Sequence, residues 1–335
     1  MDIDNINYPA PKQEYKVLVR CFTFNHSKYI VDALNGFAIQ QTNFPFVCLV
    51  MDDASTDGEQ EVIKAWMERE CDMSRAETID IPTSVVIIVP HKTNVSCTFA
   101  FYLLKQNLYR AGDKKLKHVF PWQDACKYEA MCEGDDYWID PLKLQKQIDI
   151  ADKDHNIGLI WCKAKKYIQQ SGIFEGEVGR ASKNIYSFLE ANPVVSPTVL
   201  YKTSLFKEFH LIKDKKWQMG DFPFWLYIYG RQKVCFISDV VAVYRVLEES
   251  ASHSKDLSKK ISFLNSFFEI QKFYVSYYNL NIRVLKWYRF RYYYTLMKLY
   301  FTDRVYLRAL TILMFLPILL VSGINGYLEI KQHKY

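Results

Sequence analysis

Glycine and proline are scarce, at 12 and 11 of 335 residues. Collagen-like, low-complexity and linker-rich chains are thereby excluded. The eight cysteines include no Cys-x-x-Cys. Their closest pair, Cys126 and Cys132, fits neither zinc nor redox spacing. Cys48, Cys162 and Cys235 sit in apolar runs, where a free thiol acts as a small hydrophobe. The first residues are acidic and lack an apolar segment, so no signal peptide is read. The expectation is a reduced, cytosolic compartment, in which the sequon Asn94-Val-Ser96 carries no meaning. No internal repeat is visible. No Gly-rich, Arg/Lys-bearing loop that would cradle a triphosphate follows the first apolar run, where Phe22-Thr-Phe-Asn-His26 stands instead.

Aromatic residues are abundant: 24 Tyr, 22 Phe and 7 Trp, or 16% of the chain. Half the residues are hydrophobic and 24% are charged, an ordinary globular balance. At roughly 100–200 residues per domain, the length allows two domains or one large domain with an extension. It suffices for a sizeable core without disulfides or metal staples. The net charge of +6 is unevenly spread. Residues 283–335 hold nine basic and two acidic side chains, while the remainder is almost neutral. That distribution argues against nucleic acid, which more often meets a basic stripe on the folded body.

Residues 16–22 (KVLVRCF), 46–51 (FVCLVM) and 85–89 (VVIIV) read as strands, separated by helical spacings. Asn25 or Ser27 is the expected cap of the first helix, with Ile30, Ala33, Leu34, Phe37 and Ala38 on its apolar face. This alternation predicts a parallel α/β sheet. Residues 98–108 read as another helix, and 110–126 as an irregular insertion. Residues 127–132, 157–162, 194–201, 234–237 and 240–246 read as further strands. Asp140-Pro141 opens a helix, Asp as N-cap and Pro first. Residues 1–14 form a loose arm, 15–253 the catalytic domain and 254–308 a basic, aromatic helical region. An apolar, uncharged segment (309–328) and a short tail (329–335) follow.

Three acidic groups stand at expected strand ends: Asp52/Asp53, Asp135/Asp136 and, later, Asp221. In open α/β sheets ligands bind at that edge. Paired acids raise each other's pKa unless a cation neutralises them. A hard divalent cation is the usual answer, and it would bring a diphosphate. Asp52 and Asp57 also suit plain structural duty at the end of a strand and the start of a helix. Glu133 suits either a supporting role or a loop charge.

Four motifs, in order, resemble the family 2 inverting glycosyltransferases of the GT-A fold, most of all bacterial enzymes of surface polysaccharide. They are residues 17–25 ending Thr23-Phe24-Asn25, Met51-Asp52-Asp53-Ala-Ser-Thr-Asp57, Glu133-Gly-Asp-Asp136-Tyr-Trp138, and Gly220-Asp221. The likeness spans residues 16 to 252, about 70% of the chain. It implies a Rossmann-like mixed sheet and a nucleotide pocket at Thr23, Phe24 and Asn25. Many relatives carry Tyr where Phe24 stands. It implies that Asp53 accepts a hydrogen bond from uracil, that Asp135 faces ribose and metal, and that Asp136 ligates Mn²⁺ or Mg²⁺. Asp221 would be the general base. The loop His91-Lys92-Thr93-Asn94 is the candidate donor loop, through Asn94. Trp138, Trp217 and Trp225 offer faces for sugar rings. Arg245, after Tyr244, is either a structural partner or a diphosphate contact. His253 and His91 read as surface histidines.

The implied reaction moves a sugar from a UDP-sugar to a glycan or lipid-linked glycan. Two rivals stay open: a nucleotidyltransferase that makes a sugar nucleotide, and a non-catalytic membrane-bound binding protein. For the tail, contact with an anionic membrane at the cytoplasmic face is the expectation, because basic and aromatic residues border an uncharged run. A packed appendage that self-associates is its competitor. Whether residues 309–328 span the bilayer or lie on it stays open here.

Overall fold

The structure is a computed structural model that describes residues 6–108, 115–248 and 256–332. His253 lies outside the described residues. The first elements are β1 (Tyr15–Thr23), α1 (Ile30–Ala38), β2 (Phe46–Asp52), α2 (Glu59–Glu70), β3 (Glu77–Ile81), β4 (Ser84–Pro90) and β5 (Cys97–Leu104). Next come α3 (Leu116–Asp124), β6 (Cys126–Met131), β7 (Tyr137–Trp138), α4 (Lys143–Lys153), β8 (Ile157–Ile168) and β9 (Ile173–Val178). They are followed by α5 (Ile185–Glu190), β10 (Leu200–Lys202), α6 (Thr203–Ile212), α7 (Asp221–Tyr229) and β11 (Lys233–Val246). Helices α8 (Leu257–Tyr277), α9 (Val284–Thr302) and α10 (Tyr306–Gln332) complete the described chain.

The strands form one mixed sheet in the order β3-β4-β5-β2-β1-β6-β10-β8-β11-β7, with β9 paired to β8. Strands β5, β2, β1 and β6 run parallel, as do β8 and β11. Strands β3, β4 and β10 run against their neighbours. A mixed α/β sheet with a C-terminal helical tail is the expected GT-A-like architecture. The finer reading needs correction. Residues 98–108 are not a helix: the run CTFAFYLL is β5, nearly all buried between β2 and β4. A strand covered on both faces reads as a continuous apolar run, with no period to betray it. Consequently 85–89 is not the third parallel strand. It is antiparallel β4, and β5 takes the parallel place. The irregular insertion contains α3.

Expected caps also shift. Helix α1 begins after Tyr29 with no side-chain cap, and Asn25 adopts φ 58°. Helix α4 begins at Lys143, while the Asp140 carboxylate accepts from Leu142 N–H (2.9 Å) one turn earlier. The two strands read at 234–237 and 240–246 are one strand, β11, with register shifts at its middle.

Alternating side chains split β1 between two apolar layers. Val17, Val19 and Cys21 meet α1 and α2 through Phe37, Ile63 and Trp66. Leu18 meets Val47 and Trp122 on the other face. On that second face Arg20 is buried, and only a second buried charge makes this tolerable. Arg20 Nε donates to Glu129 Oε1 (2.5 Å). Tyr201 Oη and Gln123 Nε2 also donate to the Glu129 carboxylate. The group joins β1, β6, β10 and α3.

Glu129→Gln should therefore cost about 3–5 kcal/mol, since it leaves the Arg20 charge buried and unpaired. Urea denaturation of wild type and variant checks this. A loss under about 1 kcal/mol would show that the pair is dispensable.

Candidate active site

The C-terminal ends of β1, β2, β5 and β6 share one edge, and chain that follows them builds the site. At the end of β1, Thr23 is buried, and its hydroxyl donates to Glu59 at the start of α2 and contacts His26 Nδ1 (3.1 Å). Glu59 also accepts from His26 N–H (2.8 Å) and Ser55 Oγ (2.8 Å). Burial, opposed by these hydrogen bonds, holds the Glu59 carboxyl above its ordinary pKa. Asn25 Oδ1 accepts from Thr56 N–H (2.8 Å), and its own N–H donates to Ser55 Oγ. The loops after β1 and β2 are thus laced together, with Phe24 exposed on the rim. Glu59 is the hub of this lacing. An acid in a polar helix start reads as solvated, so the sequence carried no signal for it.

Asp52 is structural: its Oδ1 accepts from Ser55 N–H (3.1 Å) and Gln60 Nε2 (2.5 Å). Asp57 accepts from Ser27 N–H and from Glu59 N–H at the start of α2. Asp53 is also buried and faces the chain. Leu108 N–H donates to its Oδ1 (2.6 Å) and Lys115 Nζ to its Oδ2 (3.0 Å). Lys115 lies at the start of α3, on the segment first read as an insertion.

After β6 the chain turns through Glu133-Gly134-Asp135-Asp136. Gly134 N–H donates to Phe22 O, and Phe22 N–H donates to Glu133 Oε2 (3.1 Å). A side chain at Gly134 would place Cβ 2.1 Å from Thr23 Oγ1, so only glycine fits there. Burial pushes the Glu133 carboxyl up to about 7, against the pull of Arg20. Asp136 Oδ1 accepts from Arg245 N–H (2.7 Å) at the end of β11. Burial and the neighbouring Asp135 charge raise the Asp136 pKa well above the ordinary range. The Arg245 guanidinium lies over the Tyr29 and Tyr137 rings and donates to Asp32 (2.9 Å).

Asp221 heads α7 on the same edge. Its Oδ1 accepts from Phe222 N–H (2.7 Å) and its Oδ2 from Ser196 Oγ (3.1 Å). Asp221 and Glu133 line one cavity of about 330 Å³, together with Arg20, Ser196, His210 and Trp225. That volume is at the lower end of the roughly 300–1,000 Å³ typical of small-molecule sites.

Asn94 is not brought to this edge. Residues 91–94 join the end of β4 to the start of β5, at the opposite end of the parallel strands. There Asn94 Nδ2 donates to Ala38 O and Gln40 O, and His91 Nδ1 accepts from Asn94 N–H. This loop is a staple. Its misplacement follows directly from reading β5 as a helix. Trp138 and Trp217 are core residues. Trp138 packs on Phe37 and donates to Pro197 O (2.7 Å), and Trp217 packs on α8 through Phe273. Trp225 alone of the three lines the cavity.

Beneath Trp138 lies Lys143, wholly buried, with Nζ 4.1 Å from the Trp138 ring centroid and 3.0 Å from Gln147 Oε1. Burial lowers its pKa to about 8, against Cys162 and Cys132.

Asp135 and Asp136 are hard oxygen donors, the right chemistry for Mg²⁺ or Mn²⁺. Among the described residues no three His, Cys, Asp or Glu side chains form a group that could hold a metal ion. An all-protein metal cage therefore does not fit. A cation bound by one or two carboxylates and completed by a ligand's phosphates does fit.

No protein-family model matches the chain. Uncharacterised proteins of Mycobacterium tuberculosis and Mycobacterium bovis are 29% identical over 184 residues. The match covers 54% of this chain and 45% of each relative, so it spans under half of their length. Among solved structures, S. aureus TarS 1–349, also solved with UDP, matches at TM-score 0.49 and 16% identity. That match covers 95% of this chain and 90% of TarS 1–349. The mannosyltransferase PcManGT from Pyrobaculum calidifontis, solved with GDP-Man and Mn²⁺, matches at TM-score 0.47 and 14% identity. It is covered over 91% of its chain and 97% of this one.

Two predictions follow from this geometry. Gly134→Ala drives a methyl into Thr23 and should destabilise by about 1–3 kcal/mol, the usual cost of overpacking, read as a lower urea midpoint. Lys143 gives a pH signature. Between pH 8 and about 10.4 the unfolded chain holds this proton and the folded chain does not, so stability rises with pH. Below pH 8 both states are protonated and the burial cost is fully present. Urea midpoints at pH 8 and 10 should show wild type gaining about 2–3 kcal/mol on Lys143→Met. Parallel pH profiles would refute the assignment.

Proposed function

We propose that this protein is an inverting glycosyltransferase that uses a divalent cation and a UDP-sugar donor. The acceptor is a glycan or a lipid-linked glycan. One observation carries the reading: Asp53, the turn Glu133-Gly134-Asp135-Asp136 and Asp221, three separate stretches of sequence, lie on one sheet edge beside a cavity. On this reading Asp53 exchanges its Lys115 contact for the uracil N–H. Thr23, Phe24 and Asn25 border the nucleoside, and Asp135 reaches the ribose. Asp136 and Asp135 hold Mn²⁺ or Mg²⁺, which would offset charge on the departing diphosphate.

The chain supplies the remaining chemistry. The acceptor hydroxyl lies at Asp221, whose carboxylate is oriented by Phe222 N–H and Ser196 Oγ. As the hydroxyl oxygen bonds to the anomeric carbon, its proton passes to Asp221. The bond from that carbon to the diphosphate breaks on the opposite face, and UDP leaves. One displacement inverts the centre, so an α-linked donor gives a β-glycoside.

The tail is proposed to bring the enzyme to the cytoplasmic face of an anionic membrane. Support comes from α10, whose most apolar 18-residue stretch within Tyr306–Lys331 has mean hydropathy 2.2, with 11% of that stretch buried. The basic residues of 283–308 flank it.

The decisive assay is UDP release across a panel of nucleotide sugars, in Mn²⁺ and in EDTA. Release from one UDP-sugar is expected, lost in EDTA and in Asp136→Ala. With acceptor present, Asp221→Asn should lower turnover roughly 10²–10⁴-fold, the usual share of a positioned base. Undiminished transfer by either variant sinks the proposal. Pyrophosphate release from a nucleoside triphosphate would instead establish a nucleotidyltransferase.

A further inference from the structure

Helix α10 is long and apolar enough to cross a bilayer. Its packing points elsewhere. Ala309, Ile312, Leu316, Leu319, Gly323 and Gly326 are its buried or half-buried positions up to residue 326. Between 306 and 326 every other residue is exposed. The intervals alternate three and four, and Ile330 extends them by four more. That is a heptad seam, the pattern of a helix laid along a partner helix for its whole length.

The partner is α9. A Cβ at Gly326 would stand 2.3 Å from Arg283 O, and one at Gly323 would stand 3.3 Å from Lys286 O. The two backbones touch, which small residues alone permit. Trp287 and Tyr327 close the same end with ring centroids 4.8 Å apart. Helix α9 is in turn fixed to the body. Tyr288 Oη donates to Tyr186 O (2.9 Å), and Trp287 Nε1 (2.9 Å) and Arg291 Nη1 (2.5 Å) donate to Glu190.

A spanning α10 would have two courses. It could carry α9 into the hydrocarbon, with Lys286, Arg289, Arg291 and Lys298, at a cost that intramembrane charges rarely meet. Or it could detach and strip the glycine seam of its partner. Neither agrees with a helix pinned from Ala309 to Ile330.

We propose that α10 lies flat in the headgroup region of an anionic bilayer, as the outer arm of the α9–α10 hairpin, and does not cross. This rests on the membrane reading above and settles its geometry. The apolar face is broad: Leu307, Met314, Ile318 and Val321 are 81%, 77%, 67% and 69% exposed. Exposed Lys286, Arg289, Lys298 and Arg308 accompany it. The residues 283–335 carry net charge +7 against an almost neutral body, which matches an acidic lipid surface. The hairpin thus has the make-up of an in-plane anchor: an apolar open face on α10, with exposed basic residues on α9 and at Arg308.

The full-length chain is tested by flotation with phosphatidylglycerol/phosphatidylcholine vesicles and with phosphatidylcholine alone. Binding is expected to the acidic vesicles. The pair Lys298→Glu/Arg308→Glu should weaken it at least about tenfold, from roughly one headgroup attraction per basic residue. Met314→Glu/Ile318→Glu should abolish it. Both pairs lie on the surface and should leave the melting curve and UDP release from donor alone unchanged. Topology is read with a cysteine appended after Tyr335 and a membrane-impermeant maleimide, the unmodified chain giving the background. Labelling only after spheroplasts are lysed supports the flat helix. Labelling of intact spheroplasts shows a crossing helix and overturns the inference while the membrane reading stands. No flotation with either vesicle overturns both. A dimer in solution that Met314→Glu dissolves, without flotation, assigns the face to a second copy of the chain and also overturns it.

Discussion

The buried Arg20–Glu129 pair sets the register at the centre of the sheet. Arg20 stands opposite Met131 and Glu129 opposite Leu18, so the two charges are diagonal neighbours across β1 and β6. A slip by one residue would turn Arg20 to the other face, into the layer of Phe37 and Trp66. Replacing such a pair with apolar residues need not destabilise a protein, so its worth lies more in specificity than in energy. Here the specificity is consequential. With β6 in register, Cys132 N–H reaches Arg20 O and Gly134 N–H reaches Phe22 O. The acidic turn is held by those two bonds, and Asp136 then meets Arg245.

The same arginine influences chemistry. Arg20 lines the cavity and lowers the Glu133 pKa, while burial raises it further than Arg20 can offset. The edge is therefore short of positive charge. Glu59 is tied by donors of the neighbouring loops, and Asp53 is tied by Leu108 and Lys115. Asp136 has one backbone donor from Arg245 and a like-charged neighbour, which leaves it strained electrostatically. A site of this kind gains most from a cationic ligand, since burial amplifies each unbalanced charge. The proposed cation would meet that need and would in turn hold the anionic diphosphate beside the acids.

Much of this was legible in the chain. Strands β2 and β6 are apolar runs that lead into acids, and those acids reach the same edge as Asp221 at the head of α7. What failed did so for definable reasons. The sequence of β5 is apolar without a break, and a continuous run cannot tell a doubly covered strand from a buried helix. That one misreading moved Asn94 to the wrong end of the sheet. It also hid Asn107, Leu108 and Lys115, the residues that truly follow β5 toward Asp53. Lys143 and Glu59 were invisible because their burial depends on tertiary neighbours: Trp138 and Val199 for the lysine, Thr23 and Ser55 for the acid. Trp138 was misjudged for the same reason. An aromatic beside acids suits a sugar platform or a core equally, and only Phe37 behind it decides.

The tail shows how far composition and packing can part company. Hydropathy over residues 306–331 sums side chains and is blind to direction, so spanning and reclining helices score alike. The glycines bear on the reclining course proposed here. In a helix chosen only to cross lipid, Gly323 and Gly326 would lower helix stability without return. Set four and three residues apart from Leu319 and Gly323 on the seam, they let α10 touch the α9 backbone. The energy gained is that of contact along one face, and the price is that the opposite face stays uncovered by protein. An uncovered apolar face of this extent is tolerable only against another apolar phase. Because α9 is hydrogen-bonded to Tyr186 and Glu190 of the body, whatever phase covers α10 also fixes the orientation of the sheet edge that carries the acids.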